Sequence, residues 1–265
     1  MKKLVGIFLM ILLMGVAVCA MADVAIDTTN FPDPNFRDVV LQYDTNGDKK
    51  LSDSEIKEVE SIYCSSLNIL SMKGIEYFTS LRNLDCGNNN YKTLDLGENT
   101  LLESLSCYGT KITEIDLSHN THLQSIQCYG NALNKLDLSN NPELTVLDCG
   151  GCNISELGLS NCPNMVRLTC YANQLASLDL SSNTKLVCLE CWDNQLSSLD
   201  ISKCILLEQL NCNVNALKLL DVSKNVKLID LECCDNEITS LKINSNQELE
   251  KLICLGNKLT TLDLS

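Results

Sequence analysis

Sixteen cysteines in a chain of 265 residues are the first groups whose chemistry has to be assigned. Nine of them, Cys86, Cys107, Cys128, Cys149, Cys170, Cys191, Cys212, Cys233 and Cys254, follow one another at intervals of 21 residues. Thiols can cross-link, hold a metal or act as nucleophiles, but a fixed interval gives each the same place in a repeated unit. Two residues before every one stands Leu or Ile, from Leu84 through Ile126 to Leu252. On a strand, thiol and leucine then share one face, so these cysteines are predicted to be buried. Neighbouring strands would set equivalent Cα atoms about 4.8 Å apart, yet parallel side chains wedged among leucines would strain a bridge. Free thiols are expected. Cys188-x-x-Cys191 has redox spacing, but its two residues fall on opposite faces of one strand, which excludes a dithiol pair. Cys188 and Cys234 are the two expected to reach solvent. Cys152, Cys162 and Cys204 stand where other units carry asparagine and are read as structural replacements.

Catalytic constellations are sparse. His119 and His122 lie three residues apart in a turn with Asp116 upstream, an ordinary polar turn rather than a metal site. No phosphate loop, His-Glu-x-x-His or glycine fingerprint occurs, and no serine or cysteine has a recognisable base partner. An enzyme is not expected. The stretch from Asp44 to Glu55 is different, and it resembles the twelve-residue loop of an EF-hand. That resemblance implies calcium, which demands six to eight hard oxygen ligands. Asp44, Asn46 and Asp48 would supply side-chain oxygens, Lys50 its carbonyl, Ser52 a direct or water-mediated contact and Glu55 a bidentate carboxylate. The sequence departs from the family at Lys49, where the sharp turn calls for glycine. Weak binding is therefore expected, roughly 10⁻⁴ to 10⁻³ M as in extracellular modules. The alternative is a helical cap without metal.

Aromatic residues form a third constellation. The positions following successive ladder cysteines read Gly87, Tyr108, Tyr129, Gly150, Tyr171, Trp192 and Asn213. This gathers four of the chain's few aromatic rings into one outward column, with Glu190 beside it and Arg167 in the adjoining column. Such a strip suits a protein or glycan partner. The alternative is that stacked rings only hold neighbouring strands together.

The elements that position these groups follow from the same interval. A unit of 21 residues sends about six apolar groups inward and cannot bury them alone, whereas stacked units share one core. The pattern Leu-x-x-Leu-x-Cys-x-x-Asn-x-Leu-x-x-Leu-Asp-Leu-Ser-x-Asn is similar to bacterial leucine-rich repeats of the short, cysteine-containing, internalin-like class, over residues 60 to 265. About ten coils are predicted, with parallel β-strands on both faces and little helix outside the N-terminus. Residues 60 to 81 form an atypical first coil whose Cys64 lies 22 residues before Cys86. Two asparagine columns, from Asn89 to Asn257 and from Asn99 to Asn246, are expected to bond the backbone of adjoining coils. A column of aspartates (Asp95, Asp116, Asp137, Asp179, Asp200, Asp221, Asp263) is read as capping the turns that follow it, with cation gathering as the lesser reading. The last coil, with Leu252, Cys254, Leu259, Leu262 and Leu264, lacks a polar cap, so edge-to-edge self-association is expected there.

Residues 1 to 22 have the layout of a secretory signal peptide: Lys2 and Lys3, an apolar run from Leu4 to Val18, and Ala20-Met21-Ala22 before Asp23. Lipid attachment at Cys19 is disfavoured by Val18 before it. Residues 23 to 59 form the helical cap. Its Phe36, Val39, Val40 and Tyr43 share one helix face after the Asp33 cap and Pro34 start, and Ser52 with Glu55 makes a capping box. The net charge of −14 becomes −16 once Lys2 and Lys3 are removed, which repels nucleic acid and anionic membrane. The expectation is a non-catalytic, secreted or surface-attached bacterial interaction module, adhesin-like. A structural or targeting segment of a larger exported enzyme or envelope protein is the alternative.

Overall fold

A computed structural model of the chain describes residues 23 to 262. The signal peptide expected at 1 to 22, with Cys19, and Asp263 and Leu264 of the last coil lie outside the described residues.

Asp33 opens the cap as its sequence requires. Its Oδ1 accepts the amides of Asn35 and Phe36, Pro34 fills the first helical position, and α1 runs Pro34–Val40. Phe36, Val39 and Val40 are buried on one side. A short strand β1 (Val24–Ala25) pairs antiparallel with β2 (Lys50–Leu51), after which Ser52 and Glu55 close the capping box of α2 (Asp53–Glu58). The cap is fastened to the first coil by polar bonds as well as by apolar contact. The second oxygen of Asp33 accepts the Leu70 amide at 2.7 Å, and the Tyr43 hydroxyl donates to the Ser61 carbonyl at 3.1 Å.

From β3 (Ser61–Tyr63) the chain coils. Each turn adds one short strand: β4 Asn83–Asp85, β5 Ser104–Ser106, β6 Ser125–Gln127, β7 Val146–Asp148, β8 Arg167–Thr169, β9 Cys188–Glu190 and β10 Gln209–Asn211. After β11 (Leu220–Asp221) come β12 (Asp230–Glu232), β13 (Leu241–Lys242) and β14 (Lys251–Ile253). Ten of these form one parallel sheet in chain order, β11 and β13 standing apart. The register never slips, because Leu84 pairs with Leu105, Leu105 with Ile126, and so on to Leu231 with Leu252. A slip of one residue would turn leucine and cysteine to solvent. Leu105, Cys107, Leu147, Cys149, Leu189 and Cys191 are all essentially inaccessible, and a fully buried leucine contributes about 1.5 to 3 kcal/mol. The first coil carries a 3₁₀ turn at Ile75–Tyr77, the short helical segment that its extra residue accommodates.

Among the described residues the second face has strand structure only where Leu220–Asp221 pairs with Leu241–Lys242, plus a bridge between Leu136 and Leu157. The aspartates make the turn that follows this segment. Asp116, Asp137, Asp179, Asp200 and Asp221 each accept the amide of the serine two residues on, folding the chain into a turn. The hydroxyl and amide of that serine together hold each of those five carboxyls below the usual range.

Both asparagine columns do what their position demands. Asn89 Nδ2 donates to the carbonyls of Cys64 and Cys86 while its Oδ1 accepts the amides of Leu67 and Ile69. Asn120 Nδ2 donates to Leu96 and Asn99 of the preceding coil. Cys152 takes over one such site, its thiol 3.1 Å from the Cys128 carbonyl. Cys162, in the other column, lies farther from its carbonyls, at 3.7 and 3.9 Å.

The fifteen described cysteines are free thiols. Burial raises the thiols of Cys86, Cys107, Cys149, Cys170, Cys191, Cys212 and Cys233, that of Cys86 to about 12, so they stay protonated at neutral pH. The expectation for Cys188 needs correction. It is only 2% exposed, because the Arg167 side chain lies across it with Nη1 3.2 Å from the sulfur. Cys234 and Cys254 are the partly accessible ones.

Candidate partner-binding face

The outward side of the sheet carries the aromatic column, and its geometry is set by two glycines. A Cβ at Gly87 would lie 2.6 Å from the Tyr108 ring, and one at Gly150 the same distance from Tyr171. Glycine therefore leaves a notch into which the ring of the next coil falls. The ring after that stacks on the first: Tyr129 on Tyr108 at 4.8 Å and 4°, and Trp192 on Tyr171 at 4.5 Å and 2°. The result is two leaning pairs, one from each half of a Gly-Tyr-Tyr-Gly-Tyr-Trp series. Tyr108 and Tyr171 lie between a glycine and the stacked ring, in line with the strand-stabilising alternative, whereas stacking covers one face of Tyr129 and Trp192, and all four rings remain partly exposed.

Each notch has an aspartate beside it. Asp85 and Asp148 accept the amides of Gly87 and Gly150 at 3.3 and 3.2 Å, so the two pairs share an Asp-Cys-Gly start. They differ in the coils that follow. In the first pair the Ser106 hydroxyl donates to Gln127 at 3.3 Å. In the second, those places are Thr169 and Glu190. Burial raises the carboxyl of Asp148, the Gly150 amide opposes that rise and the charge of Glu190 adds to it. Burial likewise raises the Tyr129 and Tyr171 hydroxyls.

Tyr108, Tyr129, Tyr171, Trp192, Glu190 and Arg167 thus lie on one face, as their positions in the repeat require. The sequence reading places Thr169 in the polar column beside the rings but misses the role of the two glycines. The signal for the glycines is their alternation with paired aromatics, since one missing side chain per pair is what lets rings lean. At the far end of the face Glu232 accepts from Asn211 and Asn213 and pairs with Lys251, a closed polar group.

The Asp44–Glu55 loop forms a compact turn. Asp44 accepts the amides of Gly47 and Lys49, each at 2.8 Å, Asn46 that of Asp48 and Asp48 that of Lys50. Lys49 adopts φ 63° without glycine. Glu55 is engaged from both sides, by the amide and hydroxyl of Thr45 on one oxygen and those of Ser52 on the other. These bonds lower its carboxyl to about 2. Asp44, Asn46 and Asp48 keep unused lone pairs, and Glu55 would have to exchange donors for a metal. Among the described residues no three His, Cys, Asp or Glu side chains converge as a metal site. His119 lines a shallow groove with Asp95 and Asp116, while His122 faces Glu143 at 3.5 Å.

No family model matches the chain. Over 71 residues, 26% of this chain and 8% of the relative, it is 37% identical to internalin J of Listeria monocytogenes serotype 4b (strain F2365). The solved functional domain of InlJ from Listeria monocytogenes, which includes a cysteine ladder, superposes with TM-score 0.73 at 29% identity, over 92% of this chain and 64% of that one. Listeria monocytogenes InlP shares the fold, with TM-score 0.69 at 16% identity over 86% and 71% of the two chains. The chain thus spans less than two thirds of the internalin J domain that it matches and a small part of the whole relative. It is an internalin-like leucine-rich repeat solenoid.

Proposed function

We propose that this protein is an exported or cell-surface bacterial interaction module, adhesin-like and non-catalytic, that binds a protein or glycan partner on its ladder sheet. The observation that carries this reading is the pair of leaning ring stacks, partly exposed on a sheet face that no other element among the described residues covers. Exposed aromatic rings fixed by packing supply contact area at low entropic cost, the property of interface hot spots. Arrays of peptides and glycans test it. At least one hit should bind the wild-type chain and lose about tenfold or more in affinity with Trp192→Ala, a hot-spot effect of roughly 1.4 kcal/mol or more. If the chain is instead a structural or targeting segment of a larger exported protein, the array stays blank. The outer edge of β14 is proposed as a second contact, between copies of the chain. Light scattering on residues 23 to 265 should then show a dimer, and a monomer at all concentrations refutes it.

The cap loop is proposed to take calcium weakly, through Asp44, Asn46, Asp48, the Lys50 carbonyl, Ser52 and Glu55. The turn at Lys49 supports the reading, because the departure from glycine does not prevent the loop from closing. Calorimetry with millimolar calcium should give heat that Asp44→Ala removes. Equal heat in both proteins, or none in either, overturns it.

A further inference from the structure

The second ring pair differs from the first in having charge around it. Asp148 and Glu190 flank Thr169 on the outward face, one coil to either side, next to the Tyr171–Trp192 stack. Neither carboxylate has an ion-pair partner among the described residues, and the charge of Glu190 adds to the rise that burial gives the Asp148 carboxyl. Arg167, the nearest cation in the sheet, is turned to the Cys188 sulfur instead. The Thr169 side chain is only 8% exposed, and its hydroxyl has no hydrogen-bond partner among the described residues. In the equivalent place of the first pair the Ser106 hydroxyl donates to Gln127, so a hydroxyl left unpaired with protein groups is particular to the second.

Two carboxylates, an open acceptor and the face of a stacked indole together describe a receptor for an organic cation. We infer that this face docks a basic segment of a protein partner, seating one lysine or arginine side chain over Thr169. Its charged head lies between Asp148 and Glu190, donates to the Thr169 hydroxyl and packs its stem on Tyr171 and Trp192. This assignment rests on the ladder sheet being the binding face and adds the chemistry of what it recognises. The complementarity extends to the whole molecule, since a formal charge of −14 draws a basic segment toward the surface. Cation–π contact with an aromatic ring then holds the head group once its water is displaced.

Trp192 is the only tryptophan of the chain, so its fluorescence reports on this subsite alone. The probes are an acetylated tetra-arginine peptide and the same peptide with citrulline, which keeps shape and loses charge. Tetra-arginine should shift Trp192 emission saturably, and the citrulline peptide should not. Asp148→Asn with Glu190→Gln should weaken binding about tenfold or more, as two charge contacts near 1 kcal/mol each imply. Glu114→Gln with Glu156→Gln removes the same charge beside the Leu-Asp-Leu-Ser segments and should weaken binding less than about twofold, since most of a surface charge is screened at that distance. Equal losses from the two double variants, or equal binding of both peptides, overturn the inference. If a neutral peptide or glycan saturates the Trp192 signal while tetra-arginine gives none, the cation assignment falls and the ladder face survives. If array hits bind and none affects Trp192, both fall.

Discussion

At the residue scale, each coil leaves its strand through one backbone position that must be left-handed. Two residues after each ladder cysteine stand Asn88, Gly109, Gly130, Gly151, Ala172, Asp193, Val214, Asp235 and Gly256, all at positive φ. Most are residue types that tolerate this region, but Val214 at φ 53° is β-branched and strained. Val214 is also 45% exposed, so little packing is lost if it is trimmed. Val214→Gly should stabilise the protein by about 1 kcal/mol, and raise its melting temperature by about 2–4 °C. Lower stability in that variant would mean that the valine side chain contributes more than its backbone costs. The buried thiols were legible from their alternation with leucine. Cys188 was not, because its cover comes from Arg167 in a neighbouring coil, and strand alternation says nothing of long side chains folding back across the sheet.

At the scale of elements, the 21-residue interval predicts the ladder sheet and its register outright, since any slip would expose leucine. It overstates the opposite face, where the alternation of Leu-Asp-Leu-Ser resembles a strand although Asp116, Asp137, Asp179, Asp200 and Asp221 each accept the next serine amide and turn the chain. Local side-chain bonds of that kind compete with ladder pairing. The same chemistry makes the cap acid-sensitive. Glu55 is held at about 2, against its ordinary 4.5, by donors from Ser52 and Thr45. Its contribution is therefore present above about pH 4.5 and lost as the pH falls toward 2. Circular dichroism melts between pH 6 and pH 2 should show the midpoint fall through this window, and Glu55→Gln should flatten part of the dependence. An unchanged profile in Glu55→Gln would show that the aspartate turns carry all of it. The α1 start and capping box were readable because their signals are local, whereas the bonds of Asp33 and Tyr43 to the first coil join residues far apart in sequence.

At the scale of the whole molecule, the solenoid divides its surface into a ladder side and a turn side. On the turn side five aspartates accept serine amides and the amide nitrogens of the asparagines donate to carbonyls of adjoining coils, while the oxygens of Asn99, Asn120, Asn141, Asn183, Asn225 and Asn246 are sealed inside, out of a partner's reach. The ladder side keeps unspent groups at its centre, in the Tyr129 and Trp192 rings, Asp148, Glu190 and Thr169. That contrast is why we place the partner there. The sequence showed the column of rings but not that two glycines cant them into pairs, which depends on contacts one coil apart.

Hydroxyl-radical footprinting of the chain with a bound array hit tests this placement most directly, because it reads side-chain exposure on both sides at once. Binding should protect Tyr129, Tyr171 and Trp192 from oxidation, and leave Leu219, 69% exposed on the turn side, as reactive as before. Protection of Leu219 with the three rings unchanged would contradict the account.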